Sequence, residues 1–199
     1  FGMLFLKRTS DVFDEKREQL RRSFRQNPTL TEAKVAELLE DKLTYGDTLF
    51  VPPRARWHAS FVDENGVPQP AIKNLQSNIG EMLNKALAAL EESNEVLSGV
   101  LKHINFKKEI NDKPVLHDSD LRLLIDHFNQ PQFMLVNSNF EFVDLLGAAY
   151  EYLIKFFADA SGKKGGQNYT PSNVVSLMVR LLKPSEGMSI YDPTTGSGG

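Results

Sequence analysis

Seven apolar residues between positions 72 and 90 recur at three- and four-residue spacing: Ile72, Leu75, Ile79, Met82, Leu83, Leu87 and Leu90. An α-helix gathers such a set onto one face, whereas a strand scatters it over two. A seam of several turns therefore commits this region to a helix packed against neighbours, and it lacks the further heptads of a coiled coil. Upstream, Phe5, Val12, Phe13, Leu20 and Phe24 fall near one face of a second helix over 3–24. Asn27-Pro28 breaks that pattern. Thr29 followed by Glu32 fits a capping box, with Val35, Leu38, Leu39 and Leu43 as the buried stripe and Gly46 as the exit. Shorter helices are expected around Glu95–Leu101 and Ser119–Phe128. The first two-thirds of the chain therefore read as mainly α.

The intervening segments are punctuated by local chemistry. Leu49-Phe50-Val51 is extended and is stopped by Pro52-Pro53, which cannot donate to a sheet ladder. Residues 63–68 form a turn. Further on, Leu145, Ala149, Tyr152, Phe156 and Phe157 make another apolar face, closed by Ser161-Gly162. Lys163-Lys164-Gly165-Gly166 has linker composition, and the chain from about Lys163 is expected to be poorly supported, since a lone strand needs a sheet. Thr170-Pro171 supplies an N-cap and a proline in the first turn, where its missing N–H costs nothing. Val174, Leu177, Met178, Leu181 and Leu182 carry that helix to Pro184, and Met188–Tyr191 is a strand candidate.

Composition narrows the chemistry. The 199 residues are 41% hydrophobic and 25% charged, enough for a packed core without a metal or disulfide staple. Cysteine is absent, which excludes disulfides, zinc–thiolate sites and iron–sulfur clusters, and fits a reducing, cytoplasmic setting. No apolar run approaches the roughly 20 residues that span a bilayer, so no membrane partner is expected. The apolar opening Phe1–Leu6 carries Lys7 and Arg8 behind it, the reverse of a signal peptide. The first residue is not methionine and the last are Gly198-Gly199, so both ends are expected to be cuts through a longer polypeptide. A net charge of −3 gives no global pull toward nucleic acid. Lys7, Arg8, Lys16, Arg17, Arg21, Arg22 and Arg25 concentrate in the first helix, where a solvated face is the favoured reading over DNA contact.

The segment richest in chemistry is Ile190-Tyr191-Asp192-Pro193-Thr194-Thr195-Gly196-Ser197-Gly198-Gly199. A strand running into a glycine-rich loop brings backbone close to a ligand at the carboxyl edge of a sheet. The spacing is not G-x-G-x-x-G, so a nicotinamide-dependent oxidoreductase is disfavoured, and no Gly-Lys-Ser/Thr of a P-loop follows. An acidic residue at the strand end, then Pro-x-x-Gly-x-Gly, resembles the first motif of S-adenosylmethionine-dependent methyltransferases. One helix upstream, Gly166-Gln167-Asn168-Tyr169-Thr170-Pro171 resembles the motif that precedes it in amino-group DNA methyltransferases. Either segment alone is matched by an ordinary glycine-rich turn or capped helix; the two in order are far more specific.

The likeness extends along the chain. Leu4–Asp11, Phe50-Val51-Pro52 with Ala55-Arg56-Trp57, Ile79–Asn84, and Leu146–Leu153 ahead of Gly162–Gly166 resemble the modification subunit of type I restriction–modification systems. The resemblance implies a helical N-terminal domain, 1–140, followed by the start of a catalytic domain, 141–199. The latter opens with the first helix and strand of an α/β, Rossmann-like fold. It also implies methyl transfer from S-adenosylmethionine to the N6 of adenine in duplex DNA. The implied partners are a specificity subunit, a restriction subunit and a second modification subunit. The cofactor-binding residues it implies are Gln167, Asn168, Tyr169, Thr170, Pro171, Ser172, Asp192, Gly196, Ser197, Gly198 and Gly199. The family's Asn/Asp-Pro-Pro-Phe/Tyr catalytic motif is absent: Asn27-Pro28-Thr29-Leu30 lacks the second proline and the aromatic, and Pro52-Pro53 follows a valine. No catalytic residue is therefore expected within this chain, which by itself should be inactive. A protein or RNA methyltransferase, and a helical module that docks the specificity subunit or DNA, remain the alternatives.

The other candidates have plainer explanations. His58, His103, His117 and His127 lack metal-ligand spacing, so no metal site is expected. Trp57, between Arg56 and His58, either stacks on a base or packs under a loop, and packing is favoured. Asp118 and Asp120 are read as helix-start partners rather than paired catalytic acids.

Overall fold

Helix α1, Gly2–Arg25, opens the chain and buries Met3, Leu6, Ser10 and Phe13 along one side. The computed structural model describes residues 1–139 and 172–193. The chain divides into two compact units, Phe1–Asn139 and Phe140–Gly199. The described residues are mainly helical, with only two-residue strands.

In the first unit, α2 spans Glu32–Leu38 and begins two residues later than the Thr29 cap implied. Thr31 is the cap: its hydroxyl accepts from the Lys34 amide at 3.3 Å, while the Thr29 hydroxyl donates to Asn27 Oδ1 at 2.7 Å. The turn that Asn27-Pro28 starts thus consumes Thr29 before a helix can use it. Val35 and Leu39 are buried as expected, but Leu43 is 82% exposed. The helix has given way to a 3-10 turn, Lys42–Tyr45, capped by Asp41, and this rotation turns Tyr45 inward in place of Leu43. Gly46, at φ +57°, releases that turn rather than the helix.

The long seam from Ile72 is also divided. Helix α3 covers Ile79–Ser93, preceded by a separate 3-10 turn at Ile72–Asn74. Leu75 is extended and Asn78 sits in the left-handed region at φ 50°, so the helix cannot propagate back through them. Ile72 and Leu75 are buried nonetheless, which is why the apolar period runs across the break. Glu95–Leu101 similarly shortens to a 3-10 turn at Glu95–Leu97, because Gly99 reverses the chain at φ +81°. Helix α4, Asp118–Phe128, lies within a residue of its expected bounds. It is fastened to the 73–75 segment by Arg122, whose guanidinium donates to the Leu75 carbonyl at 2.6 Å and the Lys73 carbonyl at 2.9 Å.

Two hairpins escaped the sequence reading. Strand β1, Phe61–Val62, pairs antiparallel with β2, Pro68–Gln69, around the expected turn, and β3, Glu109–Ile110, pairs with β4, Lys113–Pro114. The core of the unit lies between α1, α3 and α4, where Leu6, Phe13, Ile79, Leu83, Leu90 and Ile125 are fully buried.

In the second unit, α5 spans Ser172–Leu182 and ends as Lys183 enters the left-handed region ahead of Pro184. The strand expected over Met188–Tyr191 does not form: no ladder partner lies beside it among the described residues, and Tyr191 is 88% exposed. The first strand of a Rossmann-like sheet expected here is thus not seen among the described residues. The helical face at 145–157 lies outside the described residues.

Candidate functional site

Of the residues singled out for the cofactor, Gln167, Asn168, Tyr169, Thr170, Pro171, Gly196, Ser197, Gly198 and Gly199 lie outside the described residues. Ser172 is the first residue of α5, and Asp192 is exposed ten residues beyond that helix's end. The chemistry of this part of the set fits a cofactor carrying a carboxylate, an ammonium and ribose hydroxyls. The first turn of α5 presents amide N–H groups that no intrahelical carbonyl satisfies, and Asp192 supplies a carboxylate that accepts from hydroxyl or ammonium.

The most developed polar constellation lies in the first unit. Met3, Leu6, Ser10 and Phe13 make the inner face of α1, and Lys7 and Asp11 sit within it, both nearly inaccessible. They form an i,i+4 ion pair with each other. Lys7 also donates to the Phe133 carbonyl at 3.0 Å, and Asp11 accepts from the Leu135 amide at 2.8 Å. His58 Nε2 lies 3.2 Å from the other Asp11 oxygen. Arg8 completes the attachment, donating to the Leu135 carbonyl and to Asn137 Oδ1. Burial pushes the Asp11 carboxyl up, but the hydrogen bonds from His58, Lys7 and the Leu135 amide outweigh it and hold the group below its usual range. One turn on, burial raises Asp14 above that range. The cluster is thus a fastening between the first helix and residues 133–137; every polar atom of Asp11 is engaged within the fold.

A second network explains the remaining charge of α1. Arg17 pairs with Glu40 at 2.5 Å, Arg21 and Arg22 with Glu18 at 3.1 Å each, and Arg25 with Glu32 at 2.9 Å. Glu40 also receives Arg56, at 2.7 Å. Burial acts to raise Glu40, but the hydrogen bonds from Arg56 and Arg17 prevail and lower it. The basic cluster of α1 is therefore largely taken up by acids of its own unit. Trp57, 0% exposed, is a packing residue: its amide donates to Ser10 Oγ at 2.8 Å and Lys7 lies 5.7 Å from its ring centre.

Among the described residues no group of three His, Cys, Asp or Glu side chains is placed to hold a metal ion. His117 and Asp120 form a reciprocal cap at the start of α4, the Asp120 carboxylate accepting from the His117 amide at 3.0 Å. Asp118 accepts from the Gly80 amide at 3.3 Å, joining the first turns of α3 and α4. His127 packs 4.6 Å from the Phe133 ring. The sequence reading missed Lys7 and Asp11 as a buried pair. Their signal was available: opposite charges four apart, interleaved with Met3, Leu6 and Ser10 on one face.

The family model described as HsdM N-terminal domain matches residues 1–128, and the one described as N-6 DNA Methylase matches residues 141–199. The chain is similar to the type I restriction enzyme HindI methylase subunit of Haemophilus influenzae, at 38% identity over 157 residues, covering 75% of this chain and 33% of that protein. It is also similar to the MjaIX methylase subunit of Methanocaldococcus jannaschii, at 29% identity over 210 residues, covering 100% of this chain and 33% of that protein. A shorter match, 38% over 58 residues, is to the MpnII methylase subunit of Mycoplasma pneumoniae and covers 28% of this chain and 11% of that protein. The chain spans 33% of the length of the first two relatives. No helix among the described residues is long and apolar enough to cross a membrane.

Proposed function

Since this chain belongs to the methylase (modification) subunits of type I restriction–modification systems, we propose that it is the N-terminal part of a site-specific adenine-N6 DNA methyltransferase. The observation that carries this reading is the order of the two family matches, an HsdM N-terminal domain at 1–128 and an N-6 DNA methylase at 141–199. On this reading residues 1–140 form a helical domain and residues 141–199 begin the catalytic domain. The intact protein acts in the cytoplasm on duplex DNA, with a specificity subunit, a restriction subunit and a second modification subunit as partners.

S-adenosylmethionine supplies the activated methyl group. The residues of this chain bind and orient it. Amides at the start of α5 with Gln167, Asn168, Tyr169, Thr170, Pro171 and Ser172 receive the carboxylate end. Asp192 and the backbone of Gly196-Ser197-Gly198-Gly199 hold the remainder, the glycines allowing close approach. The target adenine must leave the base stack to reach the methyl group, and the rate gain comes chiefly from holding the two reacting atoms together. The residues that contact the base lie beyond this chain, so residues 1–199 alone transfer no methyl group.

Calorimetric titration of the whole subunit with S-adenosylmethionine tests the site. Gly198→Val should abolish binding while the circular dichroism of the helical domain is unchanged, and normal binding by that variant removes the loop from the site. Thr170→Ala should weaken cofactor affinity more than it lowers Tm; the reverse order would reduce Thr170 to a helix cap.

A further inference from the structure

The β3–β4 hairpin carries a face that the proposed function has not used. Its two turn residues, Asn111 and Asp112, are both left-handed, at φ 52° and 58°, the backbone of a two-residue reversal matched to strand twist. Ile110 lies opposite Lys113, Glu109 opposite Pro114, and the Val115 amide continues the ladder to the Lys108 carbonyl at 2.9 Å. In such a hairpin the pair next to the turn exchanges hydrogen bonds and the following pair does not, so Pro114 occupies the place where a missing N–H is harmless. Alternation then sorts the side chains. Lys107, Glu109, Pro114 and Leu116 share one face and, though all exposed, line an open hollow of about 200 Å³ with Gly80 and Asp118. Lys108, Ile110, Lys113 and Val115 share the opposite face.

That outer face combines two lysines with two β-branched apolar residues, Ile110 at 57% and Val115 at 50% exposure, and carries no acid. Glu109 is on the other side. The basic residues of α1 are mostly paired with acids of the fold, whereas no ion pair engages Lys108 or Lys113 among the described residues. Gly80 seats the base of the hairpin: a Cβ there would lie 3.1 Å from the Phe106 carbonyl oxygen and 3.1 Å from Lys107 Cγ. The hairpin thus leaves α3 from a close contact at its base.

We propose that this outer face of the β3–β4 hairpin is a duplex-DNA contact, with Lys108 and Lys113 on phosphates and Ile110 and Val115 against the sugar edges between them. Charge complementarity selects a polyanion, and a two-stranded ribbon is narrow enough to lie along a groove. The inference rests on the proposed function for DNA as the substrate, and adds to it a surface that reads no sequence but positions the subunit.

Fluorescence anisotropy of the full 199-residue chain on a labelled duplex, across a salt series, provides the test. Replacing Lys108 and Lys113 together by Gln should reduce the slope of log affinity against log salt by about 2. The same double change should weaken low-salt binding by about tenfold. Ile110→Ser should weaken binding several-fold with the slope unchanged, the mark of a lost apolar contact. A charge-matched control, Lys34→Gln with Lys42→Gln, should alter neither. No binding by the unchanged chain at low salt, or an unaltered slope in the hairpin double variant, would overturn the proposal. Loss of assembly with the specificity subunit at an unchanged DNA slope would also overturn it, identifying a protein contact instead. The proposed function fails separately: a whole subunit that does not bind S-adenosylmethionine sinks that reading whatever the hairpin variants do.

Discussion

Asp11 contributes stability only while ionised, because its carboxyl is held below the ordinary value of about 3.9. Its contribution is complete above that value and is lost as pH falls through the lowered one. Asp11→Asn should therefore destabilise the first unit by about 3 to 5 kcal/mol at neutral pH, since Lys7 is left buried without its partner, and should flatten the acid limb of a urea-midpoint against pH series. Asp14 has the opposite sign. Burial disfavours its ionised form in the fold, so Asp14→Asn should raise Tm at pH 7, and the gain should fade on acidification as the native carboxyl takes up its proton. An unchanged or lowered Tm at pH 7 would count against this reading of Asp14. Two acids three residues apart on one helix thus respond in opposite directions, because Asp11 accepts hydrogen bonds from the Leu135 amide, Lys7 and His58, whereas burial dominates at Asp14.

At the scale of elements, α3 and the 106–107 segment meet so closely that a Cβ at Gly80 would lie 3.1 Å from the Phe106 carbonyl oxygen. Gly80→Ala should cost about 1 to 3 kcal/mol, because the Phe106 carbonyl must move, and denaturant titration followed by Trp57 emission measures it. Thr31→Ala should cost about 1 kcal/mol through the lost cap of α2. The sequence announced α1 and α4 nearly to the residue because each carries an uninterrupted apolar period with polar flanks. It misplaced the start of α3 because burial, and not helicity, sets the period at Ile72 and Leu75. It missed both hairpins because strands of two residues are too short to alternate visibly. The motifs proposed to hold the cofactor stand out because a Thr-Pro pair and a glycine spacing are local in sequence. The Lys7–Asp11 pair was legible in its spacing of four, but its attachment to Phe133 and Leu135 was not, since these lie more than 120 residues away.

For the whole molecule, every buried member of the main core cluster among the described residues falls between Met3 and Ile125. Residues 1–139 should accordingly unfold as one cooperative transition, with the same Tm as that of the full chain when followed by Trp57, the chain's single tryptophan. Two transitions in the shortened chain, or a Tm lower by more than a few degrees, would show that residues beyond 139 support this core.

The Leu135 amide that Asp11 requires is 124 residues downstream. At ordinary elongation rates the ribosome takes about 6 to 25 s to cover that interval. Throughout it α1 holds Lys7 and Asp11 on its apolar side without the 133–137 segment that fastens them. The cluster is therefore completed only late in the synthesis of this unit, after α3 and α4 have been made.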